Sequence, residues 1–176
     1  MTHLQDGVIL RPVAEGDGAA LADAYARNRD HLAAWEPARG DSFATAQVQE
    51  QLVTRLGAAE AAGRGLGLVL EHDGAIVGRV TLSEVVRGEF CSARLSYWLD
   101  RAYTGRGHMT GAIAFALGLA RDELRLHRVE AATLTHNRAS QGVLERTGFE
   151  RIGIARRYLR IAGEWQDHVL FQRLLD

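Results

Sequence analysis

Residues 94–134 constrain the fold most tightly, because a strand, a glycine-bearing loop, a helix and a second strand follow one another without a break. Arg94 to Leu99 is predicted as a strand. The loop carries Gly105-Arg106-Gly107, and a helix is expected from Gly105 to Leu124, with Ile113, Leu117, Ala120 and Leu124 along one face. Arg128 to Leu134, rich in β-branched and apolar residues, is the next strand.

The flanking segments extend this unit. Val8 to Arg11 is predicted as a short strand stopped by Pro12, and Asp17 as the cap of a helix carrying Leu21, Ala24 and Tyr25. A short helix is expected near Asp30 to Trp35, then a loop through EPARGDS, then a helix from Thr45 to Ala62 with Val48, Leu52 and Leu56 at helical spacing. Two apolar runs around Asp73-Gly74 read as a hairpin. Beyond the central unit, Asn137 starts a short helix that stops at Gly148, and Glu150 to Ile161 and Trp165 to Phe171 form a closing hairpin through Ala162-Gly163. The order implies one α/β or α+β domain over residues 1–176, built on a mixed sheet.

Composition narrows the function classes. A chain of 176 residues buries roughly two-thirds of its unfolded surface and needs no staple. A formal net charge of −1 gives no whole-protein case for nucleic acid or an anionic membrane. Cys91 is the one cysteine, which excludes an internal disulfide and a thiolate zinc site and points to the cytoplasm. No leader is expected from MTHLQDGVILRP, and no apolar run approaches the ~20 residues of a membrane span.

The glycine loop carries the chemistry. Glycines let backbone approach an anion, and the helix behind them aims free N–H groups and its positive dipole end at that anion. This suits a pyrophosphate, although a Gly-x-Gly between strand and helix also serves as a plain tight turn. The third glycine of a dinucleotide fingerprint would fall at Thr110, and no Gly-Lys-Ser/Thr follows as in a P-loop. One strand later comes THNRASQGVLERTGFE, where Asn137 can cap a helix and Gly148 end it.

Taken together, ILRP, SYWLDRAYTGRGHMTGA, LRLHRVEAATLTHNRASQGVLERTGF and YLRIAGEWQDHVLF make the chain resemble the GNAT acetyltransferases, and within them the Rim-type branch that includes ribosomal-protein N-terminal acetyltransferases. Residues 13–66 share only the helical pattern. The resemblance implies a central mixed, mostly antiparallel sheet of about seven strands flanked by helices, with the fourth and fifth strands splayed apart. It implies acetyl-CoA as co-substrate and no metal. Trp98 and Leu99 would offer backbone groups to it, Leu99 N–H would polarise the thioester carbonyl, and the N–H groups of Gly105, Arg106, Gly107, His108, Met109 and Thr110 would hold the pyrophosphate. Asn137 would hydrogen-bond the pantetheine arm, and Ser140 would protonate the departing thiolate. Ala102 departs from the Gln or Arg usual three residues before the first glycine.

A second branch of ribosomal-protein acetyltransferases uses a Glu and a Tyr where this chain has Ala132 and Leu144, so that branch's acid–base pair is not expected. Candidate bases are Glu84, Glu130, Glu164, Asp167 and His168, and Tyr97, Tyr103 and Tyr158 are alternative acids. The expected acceptor is a protein N-terminal amine. The alternatives are a small-molecule amine (antibiotic, polyamine or amino-acid derivative) or a non-catalytic acyl-CoA sensor. Arg151, Arg156, Arg157 and Arg160 make the closing hairpin basic, as a solvated face or a site for an acidic peptide or nucleotide phosphate. Trp35, Phe43 and that hairpin are the surfaces of a possible homodimer.

Overall fold

The computed structural model describes residues 1–175. Among these, eight strands form one sheet: β1 (Thr2–His3), β2 (Ile9–Pro12), β3 (Leu66–His72), β4 (Ala75–Val86), β5 (Ser92–Leu99), β6 (Arg128–Leu134), β7 (Glu150–Ile161) and β8 (Glu164–Leu174), in the order β1-β2-β3-β4-β5-β6-β8-β7. Five α-helices accompany them among the described residues: α1 (Gly18–Arg27), α2 (Arg29–Ala33), α3 (Ala46–Ala61), α4 (His108–Asp122) and α5 (Arg138–Arg146). The seven expected strands are present. The eighth, β1, has two residues, too few for a periodic signal, and it moves the expected fourth and fifth strands to β5 and β6.

Every neighbouring pair is antiparallel except β5 and β6, which are parallel. The β3–β4 hairpin turns at Asp73 and Gly74, with φ of 49° and 77°, the left-handed pair that a tight two-residue connection requires. One hydrophobic cluster joins the sheet to α4, with Leu68, Leu70, Ile113 and Leu117; on the other face Leu21, Tyr25 and Val53 of α1 and α3 meet Val69, Ile76 and Trp98. Strand alternation sends Leu68 and Leu70 one way and Val69 the other.

Three local expectations are corrected. Asp17 does not cap α1: its carboxylate pairs with Arg11 at 2.8 Å and accepts Ala14 N–H at 2.8 Å, while Glu50 of α3 accepts Gly18 N–H at 2.8 Å. The buried residues of α3 are Gln49 and Val53, one position round from the Val48–Leu52 stripe; the Gln49 NH₂ donates to Phe43 O at 2.6 Å, while its Oε1 is buried without a partner. Helix α4 starts at His108, since Gly105 and Gly107 take φ of 78° and 79°, outside any right-handed helix.

The sheet opens at its one parallel pair. β5 and β6 pair through Ser92↔Arg128, Ala93↔Val129 and Arg94↔Glu130. Above this, β5 follows β4 as far as Gly78↔Leu99, and β6 follows β8 as far as Leu134↔His168, so the two strands part.

Candidate active site

A cleft of about 940 Å³ occupies the opening, walled by Leu95–Leu99 of β5, Ala131–Leu134 of β6, the glycine loop and the first turns of α4 and α5. Asp100 N–H donates to Val77 O at 2.7 Å. Antiparallel alternation then turns the peptide groups of Trp98 toward β4 and those of Tyr97 and Leu99 toward the opening. Of the two residues expected to offer free peptide groups, Leu99 has this orientation, and the peptide groups of Trp98 are committed to the ladder. The Trp98 indole is buried against Tyr25, with ring centroids 4.9 Å apart.

Beside the strand end, Asp100 anchors the turn into the loop. Its carboxylate accepts Ala102 N–H at 2.9 Å, Arg27 Nε at 2.8 Å and Asn28 Nδ2 at 2.9 Å. Burial pushes this carboxyl up, but the donors from Asn28, Arg27 and Ala102 outweigh it and hold it below the ordinary carboxylate range. The two left-handed glycines then bring the chain to the start of α4, where the first intrahelical bond is Gly111 N–H to Gly107 O at 3.1 Å. The N–H groups of His108, Met109 and Thr110 thus lack helical partners; all three residues line the cleft, and the Thr110 hydroxyl is buried without a hydrogen bond. Donors in excess of acceptors at a helix start fit an anion.

The loop is braced from outside the cleft. Gln5 Nε2 donates to Arg106 O, and a Cβ built on Gly107 would lie 2.9 Å from Gln5 Nε2. The Arg106 guanidinium lies 6.0 Å from the Tyr103 ring centroid. The His108 ring is buried, 3.7 Å from the Asp6 carboxylate, and burial pushes its imidazole down.

Across the opening, the Tyr97 hydroxyl meets Ser140 Oγ at 2.7 Å and Ser140 O at 3.2 Å. Burial pushes Tyr97 up to about 12, against the pull of the Ser140 hydrogen bond, so the phenol keeps its proton at neutral pH. Asn137 Oδ1 accepts Ser140 N–H at 3.1 Å, capping α5 and leaving its NH₂ uncommitted among the described residues. The other two tyrosines expected as acids are engaged elsewhere: Tyr103 with His72 Nδ1 at 2.9 Å, Tyr158 against His168 with ring centroids 5.5 Å apart.

Four of the five expected bases stand outside the cleft walls. Glu84 pairs with Arg94 at 3.3 Å, Glu130 lies in the closed part of the β5–β6 pair, Glu164 opens β8 at the hairpin turn, and Asp167 accepts Arg157 N–H at 2.8 Å. His168 does line it, buried, with Nδ1 3.0 Å from Gln166 O. A carbonyl only accepts, so in the neutral ring Nδ1 carries the hydrogen and Nε2 holds a lone pair. Sequence reasoning missed Glu36, just after α2, which lines both this cleft and an adjoining cavity of about 350 Å³. Burial pushes its carboxyl up, opposed by Arg39 and Arg79. It lies in EPARGDS, whose composition signals only a loop, and no motif marks it.

Among the described residues no three His, Cys, Asp or Glu side chains gather as a metal site, and no helix is long and apolar enough to cross a membrane. Phe43 packs edge-on to Tyr25 at 4.8 Å and Trp35 lies 5.6 Å from the His136 ring, so both have partners within the chain. The closing hairpin leaves Ile152, Ile154, Leu159 and Trp165 exposed.

The model of the acetyltransferase (GNAT) domain matches residues 8–150. The chain is 34% identical over 167 residues to the [ribosomal protein uS5]-alanine N-acetyltransferase of Escherichia coli, covering 94% of this chain and 86% of that one. Among solved structures, it is similar to a ribosomal-protein-S5-alanine acetyltransferase from Vibrio fischeri, with a TM-score of 0.95, 30% identity and coverage of 100% and 97%. It is also similar to Mycobacterium smegmatis RimJ in complex with CoA-disulfide, with a TM-score of 0.88, 35% identity and coverage of 95% and 81%.

Proposed function

The chain belongs to the GNAT acetyltransferase family, and we propose that within it this enzyme moves acetyl from acetyl-CoA to the α-amine of a protein N-terminus, as the names of its ribosomal-protein relatives describe for them. Acetyl-CoA supplies the acetyl group as a thioester already open to attack by an amine. The N–H groups of Gly105 to Thr110 hold the pyrophosphate at the positive end of α4, Asn137 hydrogen-bonds the pantetheine arm, and Leu99 N–H polarises the carbonyl. Ser140, backed by Tyr97, protonates the thiolate that leaves. Support for this reading centres on one observation: a 2.7 Å hydroxyl pair bridging the two lips of the opening, on the strand that carries Leu99.

The choice of an α-amine rests on acid strength. A lysine side chain, with pKa near ~10.4, is almost wholly protonated at pH 7, whereas a protein α-amine near ~7.7–8.0 is roughly a tenth neutral. A cleft with alanine at residue 132 suits the amine that needs less help.

The test is turnover of acetyl-CoA against an amine panel: peptides beginning Ala, Ser and Met, Nα-blocked lysine peptides, polyamines and aminoglycosides. Acetylation of the free-N-terminus peptides is expected to dominate. A polyamine or aminoglycoside turned over far faster would overturn the substrate assignment, and turnover of none would make the protein a sensor. The reading includes a cytoplasmic setting and a homodimer through the closing hairpin; light scattering showing only monomer at micromolar concentration rejects the dimer.

A further inference from the structure

Glu36 stands where two cavities meet. It lines the main cleft with Trp35 and Arg79, and it lines the adjoining cavity with Tyr25 and Phe43. Its backbone is pinned on both sides: Glu36 N–H donates to Leu32 O at 3.1 Å, and Glu36 O accepts Ala162 N–H from the closing hairpin at 3.4 Å. Its half-buried carboxylate, by contrast, makes no hydrogen bond or ion pair among the described residues. The nearby cations are turned to aromatic rings instead, Arg39 at 4.5 Å from the Phe43 centroid and Arg79 at 5.8 Å from that of Tyr25. A carboxylate drawn from water without a partner is unfavourable, and a cationic ligand offsets that cost.

We propose that Glu36 receives the ammonium of the acceptor and takes its proton, acting as the base of the transfer; this rests on the α-amine reading above. An ammonium N–H bond breaks and the proton passes to a Glu36 oxygen. The nitrogen lone pair then bonds to the acetyl carbon while the carbon–sulfur bond breaks. Two protons leave the ammonium overall. One travels through Glu36 to solvent, and the other, lost as the amide forms, replaces the proton that the Ser140–Tyr97 pair gives to sulfur. Burial of the carboxyl narrows the gap in acidity between it and the amine, which favours the exchange.

The decisive experiment compares wild type with Glu36→Gln at pH 7 and pH 9.5, using a peptide that begins with Ala. At pH 7 the variant's kcat/KM is expected to fall about 100-fold. At pH 9.5, where the amine is already neutral, the defect should shrink at least tenfold. Acetyl-CoA affinity should stay within twofold. Calorimetry on the CoA-bound enzyme should show weaker binding of the free-amine peptide by Glu36→Gln, and equal binding of the Nα-acetylated peptide by both forms. A defect of the same size at both pH values, or none, overturns the assignment. His168→Gln should retain the wild-type dependence on pH, and if that variant shows the pH-dependent loss while Glu36→Gln does not, the base is His168. Should Glu36→Gln fail to fold, Glu36→Asp decides by the same comparison, since it keeps a carboxylate at a shorter reach. Wild type inert toward every N-terminal peptide overturns the α-amine reading, an outcome separate from all of these.

Discussion

The two ends of the cleft are made of different material. The proposed donor end is backbone: two left-handed glycines, a row of helix-start N–H groups and the Leu99 peptide. The proposed acceptor end is side chains: Glu36 and Arg39 of the loop after α2 and Arg79 of β4, against Tyr25 and Phe43. Backbone sites demand particular residues, because only glycine takes φ near +79° at low cost and leaves room for a phosphate. Side-chain sites accept many solutions, so specificity can change there while the donor end stays fixed.

Substitutions at either end test that contrast. Gly107→Val should abolish the rise in melting temperature on adding acetyl-CoA, with affinity down about 100-fold. Positive φ on a β-branched residue costs about 1–3 kcal/mol, and the new side chain meets Gln5. Calorimetric binding unchanged in a folded Gly107→Val protein would remove the loop from the donor site. Asp100 sits between the two ends, tied to Arg27 and Asn28 of the α1 end and to Ala102 of the loop. Its folded pKa is lowered, so its stabilisation is present above the unfolded value near ~3.9 and is lost as pH falls through the folded value. Urea unfolding should show Asp100→Asn about 2 kcal/mol less stable at pH 7 and nearer to wild type below pH 3; a constant difference across that range would exclude the charge as the cause.

Smaller effects test the acid. Ser140→Ala should lower kcat at least tenfold with acetyl-CoA affinity nearly unchanged. Tyr97→Phe should act in the same direction, and the double variant should lose less than the product of the two, because the hydroxyls share one hydrogen bond. Full multiplicativity would assign them separate jobs. Least of all, Thr110→Ala should weaken acetyl-CoA binding about threefold while leaving the unliganded protein as stable or slightly more so, since the hydroxyl is buried without a partner. A thermal shift equal to wild type would leave the donor site to backbone alone.

Legibility in the sequence follows the same division. Gly105, Gly107, Asn137 and the Asp73-Gly74 turn were readable because each answers a backbone requirement with few permitted residues. The Tyr97–Ser140 contact was not, since it joins residues 43 apart through an opening that no local pattern announces. Asp17 misled because its side chain serves Arg11 and the turn at Ala14, while the α1 N-terminus takes its acceptor from Glu50, 32 residues on. Glu36 carried no signal at all: a glutamate before a proline in a loop has the same local appearance whether it faces water or a substrate.

The N-terminal brace has a practical bearing on how this enzyme is handled. Leu4, Gln5 and Asp6 reach Gly111, Arg106 and His108, so they act as a splint on a loop about a hundred positions away. Loss of those three residues takes the splint away. The damage would surface as poor retention of the acyl donor in a protein whose circular dichroism looks sound.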